Sequence, residues 1–317
     1  MSRPFHKALL MPINQRAFSG QADVQAMSAL AAAFPADNLH IVDLPYRCSS
    51  WALDDPNNVG LWIDAEGQLL AWAVMQTPFW TVDYACHPDA LYLLPRILTW
   101  VDHRAHQMLQ TGMGLPCWFA MVFADQTDRI RTLEEAGFSC QADVGEDSWS
   151  KVLLRRSAQV PFAEYNLPAN FTIRPLAGEG EVGAYVALHR AVFESRNMTV
   201  EWRARTLRRP EYVPDVDLVA VVPDGRLAGF CIGWLNSNVA GEIVGQIEPL
   251  GVHADFRHLG IGRSILTECL RRLYRRGAHH ILVETDNYRG AALDLYKSVG
   301  FRVIRDVLVF RKDYAGA

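Results

Sequence analysis

The chain has 317 residues, half of them hydrophobic, and a formal net charge of -4. A domain takes roughly 100–200 residues, so this length allows two. The nearly balanced charge gives no electrostatic case for a nucleic-acid partner, and no stretch approaches the roughly 20 apolar residues of a membrane span. We therefore expect a globular protein with neither nucleic-acid nor membrane partners.

The cysteines favour a reducing compartment. All six are scattered, and no two share a Cys-x-x-Cys spacing. We therefore expect buried free thiols, no metal site and a cytoplasmic location. The apolar run from Ala8 to Ile13 contains Pro12 and is too short for a signal peptide.

The two halves of the chain resemble each other. Leu61 to Trp72 and Leu218 to Phe230 are each two apolar runs around an acidic-glycine turn, which predicts a β-hairpin. Their turn glycines, Gly67 and Gly225, are 158 positions apart, and a later Gly-Phe pair repeats after 163 positions. Similar offsets indicate a duplicated αβ domain. Two unrelated α/β domains with common turn signals are the alternative.

We divide the chain into a first domain at residues 1–157, a linker at residues 158–170 and a second domain at residues 171–317. The linker contains Pro161 and Pro168 and lacks sustained periodicity. A strand from Trp149 to Leu154 precedes it. Hydrophobic periodicity then predicts these further elements around the second hairpin: strand Phe171 to Arg174, helix Gly183 to Phe193, helix Trp202 to Leu207, strand Ile243 to Val252, helix Arg263 to Arg276, strand Ile281 to Val283, helix Ala291 to Val299 and strand Val307 to Phe310.

A basic, glycine-containing loop joins the strand ending at Val252 to the next helix. It carries Arg257, Gly260 and Gly262 in the spacing Arg-x-x-Gly-x-Gly. A helix N-terminus presents unpaired N–H groups and partial positive charge, and glycine lets a ligand approach the main chain. Phosphate binds readily at such a place. An isolated Gly-x-Gly would be better explained by an ordinary strand–helix turn.

Two blocks together resemble the GNAT (GCN5-related N-acetyltransferase) superfamily. The loop matches its acetyl-CoA signature, (Gln/Arg)-x-x-Gly-x-(Gly/Ala). The stretch from Ala292 to Phe301 is similar to the family's A-x-x-L-Y-x-x-x-G-F block. The match covers residues 171–314 and, more weakly, the first half. It implies an α/β (α+β) protein with two tandem GNAT-like domains, each with a mixed, mostly antiparallel sheet flanked by helices.

The resemblance also implies an acyl donor site for acetyl-CoA. In the family the strand before the loop diverges from its parallel neighbour, and pantetheine enters the gap. The corresponding strand here contains Pro249, which cannot donate a ladder hydrogen bond and so predicts a bulge or an opened edge. The positions expected to bind acetyl-CoA are Leu250, Gly251, Val252, Arg257, His258, Leu259, Gly260, Ile261, Gly262, Arg263, Asn287 and Ala292.

Two side chains are candidates for catalysis. Tyr296 matches the family tyrosine that protonates the leaving thiolate, and a core aromatic is the alternative. Glu248 lies where many members place a carboxylate that deprotonates the amine, and a solvated or salt-bridged Glu is the alternative. Apolar surroundings would raise its pKa toward neutrality. Glu284 is a lesser candidate for the base.

The sequence departs from the family pattern in one respect. The family often has Asn seven residues before the tyrosine, but Arg289 occupies that position, and Asn287 lies two residues earlier.

In the first half Leu133 takes the tyrosine position, and the loop lacks a glycine pair. We therefore expect a first domain that binds no cofactor and shapes the substrate cleft.

The resemblance predicts transfer of an acetyl group to the amine of a small molecule. A non-catalytic acyl-CoA-binding or regulatory module, another acyl donor and a hydroxyl acceptor remain alternatives. Residues 1–157 hold 11 Lys and Arg against 17 Asp and Glu. We interpret this acidity as solvated surface, with preference for a cationic amine as the alternative. We expect a monomer or a homodimer.

Overall fold

A computed structural model describes residues 13–111, 115–142, 144–145, 148–162, 167–237 and 241–314. The N-terminal segment 1–12 and residues 163–166 of the predicted linker lie outside this range. Within the described part of the chain, no helix has both the length and the apolarity needed to cross a membrane.

The described residues of the first half form seven strands and four α-helices. The strands are β1 (Asn14–Arg16), β2 (Val59–Ile63), β3 (Leu69–Gln76), β4 (Thr81–Cys86), β5 (Cys117–Phe123), β6 (Ser139–Cys140) and β7 (Ser150–Ser157). The helices are α1 (Gln21–Ala33), α2 (Leu44–Arg47), α3 (Leu94–Gln110) and α4 (Thr127–Glu135). The predicted hairpin is β2–β3, which pairs antiparallel.

The second half contains every element that the sequence predicts there. Its strands are β8 (Thr172–Pro175), β9 (Asp217–Val221), β10 (Leu227–Ser237), β11 (Ile243–Val252), β12 (His280–Asp286) and β13 (Arg302–Asp313). Its helices are α5 (Val182–Phe193), α6 (Val200–Leu207), α7 (Ile261–Arg275) and α8 (Gly290–Ser298). The strand that differs most in length from its prediction is β13. It has 12 residues, whereas the sequence predicts four.

The turn glycines of the two hairpins explain the repeated signal. Gly67 and Gly225 have φ angles of 82° and 88°. This left-handed region costs most residues energy because Cβ approaches the backbone, whereas glycine has no Cβ. Both predicted hairpins are therefore confirmed, together with the type of residue that turns them.

The described strands lie in one continuous sheet. Its order is β1-β2-β3-β4-β5-β13-β7-β12-β11-β10-β9-β8, and β6 also pairs with β13. The last strand of each half lies within the other half's part of the sheet. β7 pairs with β12 and β13, and β13 pairs with β5. The two halves thus exchange strands reciprocally at the centre of the molecule.

Helices cover both parts of the sheet and bury its side chains. The apolar stripe predicted for α7 is confirmed, since Ile265, Leu266, Cys269, Leu270 and Leu273 are fully buried. They pack in one core with residues of β9, β10 and β12. In the first half, α3 packs over β3, β4 and β5 in a corresponding core. All six cysteines are free, and five of them are buried, as expected.

Candidate functional site

The candidate site begins where β11 and β12 separate. These parallel strands pair only through Val244–Gln246 and His280–Leu282. Beyond this point β12 continues along β7, whereas β11 stays with β10. At Glu248 and Pro249 the β10–β11 register shifts by one residue, so the predicted bulge is confirmed. The two strands therefore diverge and leave a wedge-shaped opening in the sheet.

The main chain of β11 offers donors to this opening. The His253 amide donates to a carbonyl of β10 at 2.9 Å. Because amides alternate in direction along a strand, Gly251 also faces β10, whereas the amides of Leu250 and Val252 face the opening. Nε of Arg257 donates to the Val252 carbonyl oxygen at 3.2 Å. Among the described residues the opening thus has two amides without partners and a cation at its mouth.

The glycine loop ends at the N-terminus of α7. Gly260 has a φ of 80° and caps the helix. Within the described residues, no hydrogen bond is donated by the amides of residues 259–263. His258 and Leu259 are exposed beside them. These orphaned donors at a helix N-terminus fit a pyrophosphate, because its oxygens accept hydrogen bonds and carry negative charge.

A cavity of about 230 Å³ lies between α7, the end of α8 and the start of the linker. Arg263 and Lys297 line it, together with Thr267 and Ser298. Of these four residues, only Arg263 was predicted from the sequence to bind acetyl-CoA. Lys297 is exposed in a motif position of no fixed type, so no sequence signal distinguishes it from an ordinary surface lysine.

Two further predicted positions lie at the start of α8. Ala292 is partly buried in its first turn and packs against the second-half core. Nδ2 of Asn287 donates to the Ser150 hydroxyl on β7 at 3.3 Å. Arg289, in the family's Asn position, forms an ion pair with Asp286 at 2.8 Å. The roles of Asn287 and Ala292 remain predictions.

Glu248 lies at the bulge with its side chain half-buried. Burial raises the pKa of this carboxyl to about 7, and the charge of Asp43 adds to the effect. Lys151 and Arg47 oppose it. A carboxyl with this pKa is partly ionised near neutral pH, so it can accept a proton, and it then holds that proton strongly. A general base requires both properties.

Tyr296 lies on α8 and is 7% exposed. Burial raises the pKa of its hydroxyl above the ordinary value, and the nearby charge of Glu248 adds to this. Its ring packs edge-on against Phe301, with centroids 5.7 Å apart. Tyr296 therefore keeps its proton at neutral pH, and its role as the acid remains a prediction.

On the face of the sheet opposite α7, the opening leads into a cavity of about 210 Å³. Both halves line it. The second half supplies Gln246, Glu248, Glu284 and Asp286, which alternate along β11 and β12. The first half supplies His40, Asp43, Arg47, Phe79, Thr81, Met121, Trp149 and Lys151. The expectation that the first half shapes a cleft beside the site agrees with this lining.

Ion pairs between and within the halves hold this cavity in shape. Arg47 binds both carboxylate oxygens of Asp83, at 2.6 and 2.7 Å. Lys151 of β7 bonds to Glu284 at 2.5 Å, and its ammonium lies 3.9 Å from Asp286. Although burial raises the pKa of Glu284, Lys151 lowers it overall. Glu284 therefore stays ionised in a salt bridge, whereas Glu248 lacks a direct partner among the described residues.

The first-half residues of this cavity escaped sequence analysis. Asp43 and Asp83 are 2% and 3% exposed, so the interpretation of first-half acidity as solvated surface is wrong for both. Asp83 pairs with Arg47 of α2, 36 positions away, whereas Asp43 contacts His40, three positions away. Their charge in an otherwise apolar stretch was the available signal.

In the first half β4 and β5 also separate, since they pair only at Thr81–Phe119 and Val82–Ala120, but the residues there differ from those of the second half. Leu133, at the tyrosine position, is fully buried. Arg129 of α4 is 5% exposed and lies 5.7 Å from the Tyr84 ring. A short 3₁₀ helix, Pro88–Leu93, replaces the glycine loop.

Comparison with known sequences gives a consistent result. Residues 184–301 match the model of the Acetyltransferase (GNAT) family. A mycothiol acetyltransferase of Arthrobacter sp. (strain FB24) is 27% identical over 158 residues, which cover 48% of each chain. One of Thermobifida fusca is 31% identical over 115 residues, 35% of this chain and 36% of that protein. The chain thus spans about half the length, or less, of these curated relatives.

Solved structures extend the likeness over both halves. A GCN5-related N-acetyltransferase from Sphaerobacter thermophilus superposes with a TM-score of 0.63 at 21% identity and covers 95% of each chain. A tandem GNAT protein from the clavulanic acid biosynthesis pathway gives 0.63 at 12% identity, covering 96% of this chain and all of that one. At such identities the likeness concerns the fold. Residues 184–301 therefore match the Acetyltransferase (GNAT) family, and the chain has the fold of tandem GNAT proteins.

Proposed function

We propose that this protein is an N-acetyltransferase that moves the acetyl group of acetyl-CoA directly to the amine of a small molecule. One active site, in the second half, carries the reaction, and the first half forms part of the acceptor cavity. The relatives named mycothiol acetyltransferases support acetyl transfer as the reaction. The residues that line the acceptor cavity indicate the nature of the acceptor.

The donor site is supported by the pattern of unpaired donors. Acetyl-CoA would lie in the opening between β11 and β12, with its pyrophosphate at the amides of residues 259–263 and the Arg257 guanidinium nearby. Arg263 and Lys297 offer further cations at the cavity of about 230 Å³. Amides of Leu250 or Val252 would hold the thioester carbonyl and stabilise the charge that develops on its oxygen.

Two side chains then complete the chemistry. Glu248 takes a proton from the acceptor ammonium, directly or through water, and the neutral amine attacks the thioester carbon. The C–S bond breaks as the amide forms, and Tyr296 gives its proton to the leaving thiolate. The second proton that the nitrogen loses restores the Tyr296 hydroxyl. The raised pKa of Glu248, about 7, supports its assignment as the base.

The observation that carries the proposal is the position of the amides of residues 259–263, which have no partner among the described residues, beside the opening between β11 and β12. The first amides of any helix lack intrahelical partners, and here Gly260, with a φ of 80°, has no Cβ to keep a ligand away from them. These donors next to an opened sheet support a ligand rich in anionic oxygen.

Calorimetric titration with acetyl-CoA tests the donor site. Gly260→Glu puts a negative charge and bulk among the five amides, so we expect it to weaken acetyl-CoA binding by at least about a hundredfold. Wild type should bind one equivalent. Release of free thiol in the presence of a primary amine then measures acetyl transfer.

Gly67→Glu is the matched control. Gly67 has nearly the same φ as Gly260, 82° against 80°, and neither would bring a Cβ within 4 Å of another residue. Both variants therefore carry the same backbone strain and the same charge. If Gly67→Glu weakens binding as much as Gly260→Glu does, the assigned donor site is wrong. If wild type binds acetyl-CoA but acetylates no amine, the non-catalytic alternative replaces the enzyme.

A further inference from the structure

The cavity of about 210 Å³ beside Glu248 has a neighbouring cavity of about 250 Å³. His40, Gln246 and Glu284 line both. The second cavity is mostly apolar, with side chains from Ile41, Val42 and Leu282 among others. Both cavities are lined by residues of the two halves.

Asp43, which lines the cavity beside Glu248, has one oxygen without a hydrogen-bond partner among the described residues. The side chain is 2% exposed, and the unpaired atom is Oδ1. Its other oxygen lies 3.2 Å from Nδ1 of His40. Although burial raises the pKa of Asp43, His40 lowers it overall. Leaving an ionised, buried oxygen without a donor is costly, so such atoms normally have a ligand or water as partner.

The charges on the cavity indicate what that ligand is. Four carboxylates line it, Asp43, Glu248, Glu284 and Asp286, together with Arg47, Lys151 and His40. Arg47 is bound by Asp83, Lys151 by Glu284, and Asp286 by Arg289. Of the two carboxylate oxygens of Asp43, His40 contacts only Oδ2. The Glu248 carboxyl and Asp43 Oδ1 therefore remain without a direct partner among the described residues, and both favour positive charge.

We propose that Asp43 is a specificity-determining residue that binds a second cationic nitrogen of the acceptor. The acceptor is then a molecule with two amino groups. One is acetylated beside Glu248, and the other donates to Asp43 Oδ1. This inference rests on the proposed function and adds the substrate class to it.

The same contact links acceptor binding to the state of the base. The groups that face Glu248 are His40, Asp43, Tyr46 and Arg47 of the first half, Lys151 of β7, Tyr185 of α5, Glu284 and Asp286 of β12, and Arg289 and Tyr296 of α8. The negative charge of Asp43 opposes ionisation of Glu248. A cation bound at Asp43 neutralises that charge, so Glu248 ionises more readily once a diamine is bound.

Matched acceptors test the proposal. Diaminobutane, diaminopentane and diaminohexane are compared with butylamine, pentylamine and hexylamine, by thiol release from acetyl-CoA. In the wild type we expect the best diamine to exceed its monoamine in kcat/KM by roughly tenfold to a hundredfold, the usual weight of one charged hydrogen bond. Asp43→Asn should bring that ratio close to one and move the acidic limb of the pH–rate profile to lower pH.

Asp89→Asn is the control variant, because Asp89 is a first-half carboxylate whose side chain is 90% exposed. It should keep the wild-type ratio and profile. Acetyl-CoA affinity and the thermal midpoint, measured for each variant, report whether it is folded. The comparison of diamine with monoamine in the wild type does not depend on any variant.

The outcomes separate the two proposals. If monoamines and diamines are acetylated equally well by the wild type, or if Asp43→Asn keeps the diamine preference, the role of Asp43 is refuted while the acetyltransferase stands. If acetyl-CoA binds but no amine of either series is acetylated, the proposed reaction fails, and the diamine acceptor fails with it.

Discussion

Glu248 meets two opposing demands, since the environment that suits a base weakens the fold. Its pKa is about 7 in the folded protein, against an ordinary value of 4.5. The folded state thus holds this proton more tightly than the unfolded chain does. The contribution of Glu248 to stability is therefore greatest below about pH 4.5 and falls as pH rises through 7.

Glu248→Gln should expose this conflict. The amide keeps the shape of the side chain but cannot ionise, so at about pH 8 we expect the variant to be more stable than the wild type by about 2 kcal/mol. The difference should vanish toward pH 5. Acetyl transfer should fall by roughly 10²–10⁴, because the base is lost. Urea unfolding at several pH values and initial rates measure the two effects.

The two readouts together decide the role of Glu248. A variant that is destabilised at about pH 8 would show that Glu248 is ionised in a stabilising contact. A variant that keeps the wild-type rate and its acidic limb would show that another group, such as Glu284, is the base. In either case the assignment of Glu248 as the base would be wrong.

At the scale of elements, Arg156 joins β7 to the end of α8. Its side chain is fully buried and donates to the carbonyl oxygens of Val299, Val160 and Pro161, at 2.7, 2.9 and 3.2 Å. Gly300 contributes to the same junction, since a Cβ there would lie 2.6 Å from Val160. One side chain thus fixes the start of the linker against the Gly-Phe turn that sequence analysis recognised.

Arg156→Met should destabilise the protein by about 3–5 kcal/mol, because it leaves three carbonyl groups without their donor. The neighbouring Arg155 is exposed on the same strand, and Arg155→Met should change stability by less than about 0.5 kcal/mol. Urea unfolding of both variants measures the difference. Equal stability of the two would show that solvent replaces these hydrogen bonds without cost.

The elements also show how much of the structure can be predicted from the sequence. The loop around Gly260, the helix that carries Tyr296 and the bulge at Pro249 were predicted because each depends on residues close together in the chain. Asp43 and Lys151 were not, because their place beside Glu248 arises when β7 enters the second half of the sheet. The added length of β13 has the same origin, since its partners belong to the first half.

At the scale of the whole molecule, the strand exchange makes the halves mutually dependent. Without the first half, β12 loses its neighbour β7, and β13 loses both of its neighbours. Without the second half, β5 has an open edge and β7 has no partner. Open edges of this kind promote aggregation, so we infer that a cut between the halves leaves neither with a complete sheet.

Residues 1–170 and 171–317, expressed separately, should therefore fail to unfold cooperatively, whereas the two expressed together should form one soluble complex. A full-length chain cleaved within the linker after folding should remain associated, because the exchanged strands hold it. Size-exclusion chromatography and thermal melting distinguish these states. A soluble fragment 171–317 with a cooperative melt of its own would contradict the prediction.

The pairing of β5 with β13 also has a consequence for synthesis. The two strands lie about 190 residues apart in the chain. At the roughly 5–20 residues per second of translation, the edge of β5 emerges from the ribosome roughly 10–40 s before its partner exists. During that interval the nascent first half exposes an apolar strand, which chaperones must shield. A polypeptide whose halves resemble two consecutive domains thus forgoes the advantage of folding them one after the other.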